Sequence, residues 1–485
     1  MKLSTPGHIQ EHREAMQPTS CKNRIVVSML VLVLVLAALD QTIVATALPT
    51  IAADLQGHGQ LTWVFSTYLV ASTAVIPLYG RLADAHGPRA TLLFACLIFV
   101  AGSMLCGLSR DMSELLIARA VQGLGAGGLM TLTMLAIGDV VPPTRRGQFQ
   151  GLLGSMYGLA TLFGPPLGGW LTDQFSWRWA FLLNVPPGLI VLLVLAVLYR
   201  PAGRTRAGAV DYPGALLLAM ALVTGLLATR ARAEDGVHAL LPIAAIGLLA
   251  AFVWLESKVA NPILPLRLFR RSAFALSSVL SASTGLALFT AVVFVPLHLQ
   301  YSAKLGSAQA GLHLLPLMLA ITAASVVGGK RMGRRGTARA LAIAGSMAMA
   351  GAYVGLALST ASTNREAMLL ALGVLGLGIG LTIPVTTIAC QRTAQSQDQG
   401  IATASAIMFR TVGGALGVSL LGALLAQGIQ PPPGGFDSAE GFAAAFSAAL
   451  QPLFWVSALV CSIAGVAALG MPQALFPSRT HERLQ

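Results

Sequence analysis

Fourteen apolar runs, most about 20 residues long and separated by short charged or Gly/Pro-containing loops, constrain this chain more than any other feature. Only an α-helix carries such a run through a bilayer as one segment, because each backbone N–H and C=O then finds its partner inside the run. The runs fall at roughly 25–47, 61–79, 90–107, 114–138, 149–170, 179–199, 213–229, 239–255, 273–297, 309–329, 340–359, 367–388, 400–425 and 450–470. Composition agrees. Of 485 residues 55% are hydrophobic and 10% charged, against about 25% charged in soluble domains. Cleavage of 25–47 as a signal peptide at Ala45-Thr46-Ala47 is disfavoured by the long polar leader and by an acid inside the apolar stretch.

The basic residues fix an orientation. With the N-terminus in the cytoplasm, 23 of the 31 lysines and arginines fall in cytoplasmic segments, 6 in external ones, and Arg119 and Arg410 lie inside spans. A missed or extra helix would invert this bias from that point onward, so the positive-inside rule supports both count and orientation. The net charge of +13 is therefore topological, with anionic headgroups as a secondary contact, and it excludes nucleic acid as the implied partner.

A spacing repeat divides the chain. Gly151, Gly164 and Gly168 in the fifth span match Gly400, Gly413 and Gly417 in the thirteenth, and "GLGAGGL" from Gly123 matches "GLGIGLT" from Gly376. Both offsets are eight helices. The expected organisation is a cytoplasmic tail (1–24), a six-helix bundle (25–200), a two-helix insert with flanking loops (201–272), a second six-helix bundle (273–470) and a second cytoplasmic tail (471–485). Repeats of this kind are typical of secondary transporters.

Asp40 is the acid placed within a span rather than at an end. A charge deep in a bilayer costs about 2.5–3.5 kcal/mol on insertion scales and faces the bundle interior or a water-filled cavity. Burial and a nearby cation act oppositely on a carboxylate's proton affinity, the setting for a proton carrier; the alternative is a structural hydrogen-bond acceptor. Arg119 lies within about 5 Å of the same depth, counted at 1.5 Å per residue, and is the candidate partner; snorkelling to the headgroups is its alternative. Arg410, near mid-span, needs an internal partner. Asp40, Thr42, Thr46 and Arg410 are the candidate lining of a substrate cavity.

In "GLATLFGPPLGGW", Ala160, Gly164 and Gly168 share one helix face where another backbone can approach, and Pro165 and Pro166 remove amide donors and bend the helix. "GRLADAHGPR" is expected to place Gly80, Arg81, Asp84, Gly87 and Arg89 in a tight cytoplasmic turn, either a latch on the inner gate or a topogenic basic loop. Trp177 and Trp179 fit aromatic anchors at the outer interface. The five cysteines show no metal-ligand or redox spacing and fit small buried side chains. HExxH, GxSxG and Walker A patterns are missing from the sequence, so ATP hydrolysis is not expected.

"LDQTIVATALPTI", "GRLADAHGPRATLL", "RAVQGLGAGG" and "GPPLGGWLTDQFSWRWAFLLNVPPG" together resemble the signature set of the major facilitator superfamily, specifically its fourteen-helix drug/proton antiporters. The resemblance implies an all-α membrane protein of two six-helix bundles plus a two-helix insert. It also implies export of amphipathic, often cationic compounds driven by inward proton flow through alternating access. Residue by residue, Asp40 matches the family's first-helix acid and Arg119 its fourth-helix arginine. Gly80, Asp84, Gly87 and Arg89 match its cytoplasmic gating loop, and Gly164, Pro165, Gly168 and Gly169 its antiporter motif. Ala45 stands where many members have Asn and Ala160 where the motif usually has Gly; the basic loop after span ten lacks the acid of its first-half counterpart.

The expected protein is a secondary exporter of the cytoplasmic (inner) membrane, functional as a monomer. It uses a proton gradient and no cofactor or metal, and its partners are a small-molecule substrate, protons and membrane lipids. Rival readings are an exporter of a single metabolite, siderophore or lipid, and a non-transporting receptor or scaffold, which would call for a soluble domain longer than any loop here.

Overall fold

The computed structural model describes residues 21–472 except 58–59, 141–159, 161–162, 201–210, 230–239, 260–261, 265, 332–336, 363, 395–398 and 430–438. Every element assigned among them is helical. In chain order they are α1 (Cys21–Asp54), α2 (Leu61–His86), α3 (Pro88–Leu108), α4 (Met112–Val140), α5 (163–174), α6 (Trp179–Leu182), α7 (Val185–Leu198), α8 (Tyr212–Ala228) and α9 (Leu241–Glu256). A 3-10 turn (Leu266–Arg270) leads to α10 (Ser272–Tyr301), α11 (Ser307–Leu312), α12 (Leu315–Arg331), α13 (Thr337–Ser362), α14 (Arg365–Thr393), α15 (Gln399–Gly428) and α16 (Ala439–Ala468). Ten helices among the described residues are long and apolar enough to cross a membrane, and Leu61–Ile76, Tyr212–Ala228 and Leu241–Glu256 are shorter apolar helices. Most of the fifth expected span, with Gly151, lies outside the described residues, as does the Arg230–Asp235 loop of the insert.

Apolar residues cover both faces of these helices, as lipid-facing bundles require. Leu193, Val197, Leu370 and Val466 point outward while Leu30, Val44, Phe65 and Leu375 are buried. The first helix runs longer than expected. It starts at Cys21 and continues through Pro49 to Asp54. Pro49 offers no N–H to the carbonyl of Ala45, and the next carbonyl, Thr46 O, accepts from Gln300 Nε2 at 3.1 Å. Tertiary contact thus supplies a donor where the helix ladder is weakened.

Packing follows the repeat. α4 lies against α2 and α3, and α14 against α12 and α13; α10 packs on α15, while α2 meets α15 and α1 meets α10 across the two sets. The insert helix α8 packs on α9 and α2 and reaches α15 through Thr229 Oγ1 and Ser419 Oγ, 2.9 Å apart.

The expected turn around "GRLADAHGPR" is tighter than the motif suggested. Gly80 and the backbone of Arg81 and Asp84 belong to the last turns of α2; the turn is Gly87 alone, at φ 86°, followed by Pro88 at the start of α3. That φ favours glycine, and a single such residue reverses the chain because Gly87 N donates to Ala83 O while Gly87 O accepts from Thr91 N.

Candidate functional site

Asp40 and Arg119 meet in the middle of the first set of helices, and both are wholly buried. Arg119 Nη1 lies 3.0 Å from Asp40 Oδ2. The same nitrogen donates to Gln122 Oε1 at 2.6 Å, and Arg119 Nε donates to Val64 O at 3.0 Å. The guanidinium stacks 4.1 Å from the centre of the Tyr68 ring, an arrangement in which ring and cation attract. The other carboxylate oxygen, Asp40 Oδ1, accepts from Gln122 Nε2 at 2.7 Å and from Asn184 Nδ2 at 2.9 Å. Gln122 Nε2 is also 2.8 Å from Ser103 Oγ.

Two buried opposite charges survive in a low-dielectric interior only when geometry and extra hydrogen bonds offset desolvation. Here both carboxylate oxygens have donors from α4 or from the break between α6 and α7. Sequence reasoning found the ion pair but missed Gln122, Asn184, Ser103 and Tyr68. Gln122 carries a signal in hindsight: three residues after Arg119, it shares that helix face. Asn184 carries a weaker one, an amide in the apolar run "WAFLLNVPPGLI".

The other candidates divide. Thr42 and Thr46 line the seam between α1 and α5: Thr42 Oγ1 donates to Ala38 O at 3.3 Å, and Thr46 Oγ1 to Ile43 O at 3.0 Å and Pro165 O at 3.3 Å. A methyl at Gly164 would collide with Thr42 Oγ1, and one at Gly168 with Ile43 O. The small face expected of Gly164 and Gly168 is therefore pressed against α1; Ala160 is buried as well. A second face, one residue round, meets the other set of helices. Gly169 abuts the backbone of Ser307 and Ala308, and Pro165 O abuts Gly311. Asp173 Oδ2 accepts from Ala308 N at 2.9 Å, and Ser307 Oγ donates to Gln300 Oε1 at 3.1 Å. The α1–α2 end of the bundle is thus stitched shut between α1/α5 and α10/α11.

Arg410 stands apart from this cluster, partly buried on α15, with its backbone carbonyl against Gly285 of α10. Arg89 donates through Nη2 to Ala196 O, near the C-terminus of α7, where a cation is favoured by the helix dipole. The side chains of Arg81 and Asp84 lie outside the described residues. Trp177 is not an interfacial anchor: it is 2% exposed, and its Nε1 donates to Asp54 Oδ2 at 2.9 Å, beside Arg178 Nη1 at 2.8 Å from the same oxygen. The closed turn at Ser176 carries it inward, while Trp179 stays exposed. Cys96, Cys106, Cys390 and Cys461 are buried free thiols.

The repeat is structural, and it breaks at the ion pair. Gly123 and Gly127 admit the α2 backbone at Tyr68 and Ser72 as Gly376 and Gly380 admit the α12 backbone at Leu317 and Ile321. Gly164 meets Thr42 and Gly168 meets Thr46; Gly413 meets Ala282 and Gly417 meets Leu286. Counting two residues back from Thr42 and from Ala282 pairs Asp40 with Leu280. Counting four back from Gly123 and from Gly376 pairs Arg119 with Leu372. Both leucines are fully buried.

A bundle of long apolar helices in two matched sets, with a charged cluster sealed inside the first, defines an integral membrane transporter. The Major Facilitator Superfamily model matches residues 30–418, and the chain belongs to that superfamily of secondary transporters, not to an enzyme family. It is 33% identical over 412 residues to the multidrug transporter protein MdtP of Bacillus subtilis (strain 168), covering 83% of this chain and 75% of that one. Multidrug resistance protein 3 of the same organism is 30% identical over 408 residues, 82% of this chain and 79% of the relative. Among solved structures, a bacterial homolog of the human lysosomal transporter Spinster in an inward-facing, unoccupied conformation superposes with a TM-score of 0.67 at 14% identity. It covers 95% of this chain and 98% of that one, a likeness of fold alone.

Proposed function

We propose that the chain is a fourteen-span exporter of amphipathic, cationic compounds in the cytoplasmic membrane, driven by proton antiport, with both termini in the cytoplasm. The observation that carries the reading is Asp40, a wholly buried acid whose partners are all donors. An intramembrane carboxylate marks a proton or ion path by default, and multidrug transporters are among the relatives.

In this reading the stitched α1–α2 end faces outward, and the arrangement is the deprotonated, externally closed state. Substrate enters from the cytoplasm. Opening of the outer seam wets Asp40, a proton neutralises it and releases it from Arg119, and the cationic substrate loses its counter-charge and leaves. Return to the inward state delivers the proton to the cytoplasm and restores the pair. Thr42 and Thr46, packed on α5 in the closed state, join the cavity wall when the seam parts. No cofactor takes part, and one copy suffices. The test is efflux of ethidium from proteoliposomes under an imposed pH gradient. Wild type is expected to extrude dye only with the gradient, and Asp40→Asn to lose gradient-driven efflux; undiminished efflux by that variant removes Asp40 from the mechanism.

A further inference from the structure

The backbone hydrogen-bond ladder of the sixth span is interrupted where it touches Asp40, although Leu183 and Asn184 keep right-handed helical dihedrals. α6 ends at Leu182, α7 begins at Val185, and Asn184 sits in the gap, with Pro186 and Pro187 following Val185. Those prolines withhold amide donors from the ladder, so the outer piece of the span is joined to the inner one by few backbone bonds. Asn184 is 2% exposed and spends its amide on Asp40 Oδ1 at 2.9 Å. Of the three side chains that hold the carboxylate, Arg119 also bonds Val64 O and Gln122, and Gln122 also bonds Ser103. Both come from α4, so their bonds tie Asp40 to one rigid helix. Asn184 comes from a different span, at a point where two prolines thin that span's hydrogen-bond ladder.

We infer that Asn184 is a positioning residue that reads the charge on Asp40 and passes it to the break in the sixth span. This rests on the proton-coupling reading above. An amide N–H gives a charge-assisted bond to an ionised carboxylate and only a weaker, neutral one to the carbonyl oxygen of a protonated carboxyl. While Asp40 is charged, Asn184 ties the interruption in the ladder to α1. When Asp40 gains a proton the bond loses its charge assistance and the outer piece is held less tightly. That piece adjoins Trp177 and Arg178, which hold Asp54 at the end of α1, so the loosening arrives at the same end as the Asp173–Ala308 stitch.

Removing the amide takes one donor from the charged form and leaves the ion pair in place. In purified protein reconstituted with ethidium as the probe, Asn184→Leu is expected to raise the pH of half-maximal gradient-driven efflux by roughly one unit, with the apparent affinity for dye within twofold of wild type. Asn184→Ser, a shorter donor that leaves the volume smaller and the fold less challenged, is expected to fall between the two. Thermal unfolding of each variant, compared with wild type, separates a shifted profile from a damaged fold. Should Asn184→Leu fail to fold, the Asn184→Ser profile decides alone. An unchanged pH profile in a folded variant, with Asp40→Asn inactive, overturns the inference and spares the functional reading. Gradient-driven efflux in Asp40→Asn overturns both.

Discussion

Asp40 and Leu280 occupy matching places on the first helices of the two halves, yet one is a wholly buried acid and the other a wholly buried hydrocarbon. Arg119 and Leu372 repeat the contrast on the fourth helices. The fold therefore does not need the ion pair, since the second half packs leucine at both matching positions. At these matched positions charge sits in the first half alone, so protonation of Asp40 changes that half and not the matching site of its counterpart, an asymmetry by which a proton can bias a rocking pair of bundles.

Breaking the pair from one side should be costlier than removing it. Arg119→Leu leaves Asp40 charged, buried and short of its cation, a change worth about 3–5 kcal/mol. The double variant Asp40→Leu/Arg119→Leu, which copies the second half, should regain a large part of that loss. Thermal unfolding in detergent is expected to rank Arg119→Leu below the double variant, and dye efflux should be absent from both.

Glycine-to-alanine exchanges should sort by what surrounds each position. A methyl at Gly80 meets nothing within 4 Å among the described residues, so Gly80→Ala should be neutral or slightly stabilising, as alanine is the better helix former. Gly168→Ala drives a methyl into the carbonyl of Ile43 and should force α5 away from α1, lowering efflux severalfold. Gly87→Ala meets no atom within 4 Å among the described residues but inherits φ 86°, and should cost on the order of 1–3 kcal/mol in stability. Unfolding temperatures and efflux rates of the three variants measured side by side check the order.

The seam at the α1–α2 end should loosen when its cross-half bonds go. Asp173→Ala removes the acceptor of Ala308 N, and Gln300→Ala removes the donor to Thr46 O. Labelling of a cysteine placed at Thr46 by a membrane-impermeant maleimide added from outside is expected to speed up in either variant and more in the double. Asp173→Asn, which keeps an oxygen acceptor, should label nearly as slowly as the parent cysteine variant.

How much was legible beforehand depended on the kind of signal. Asp40 and Arg119 stood out because a charge inside an apolar run is expensive and must have a reason. Gly164, Gly168 and their counterparts stood out because spacing along a helix places them on one face. Trp177 misled because an aromatic near a span end fits an interfacial anchor equally well, and only the turn at Ser176 that carries it under Asp54 decides otherwise. Gly80 misled because a motif written in one line does not mark where the helix stops; Gly87, with Pro88 behind it, held the turn.

Read without coordinates, the chain already reveals that it crosses a membrane many times, in two halves that echo each other, with an acid and an arginine at matching depth in the first. Those properties are local, set by the free-energy cost of exposing backbone or charge to lipid and by the period of a helix. It took the folded arrangement to reveal that Asn184 and Gln122 complete the ring of donors around Asp40, that Gly169 and Gly311 join the halves, and that Leu280 and Leu372 replace the charges in the second half. Such facts depend on which helix faces lie opposite one another, and helix pairing in lipid is chosen by close fit between distant segments, which no stretch of sequence contains alone.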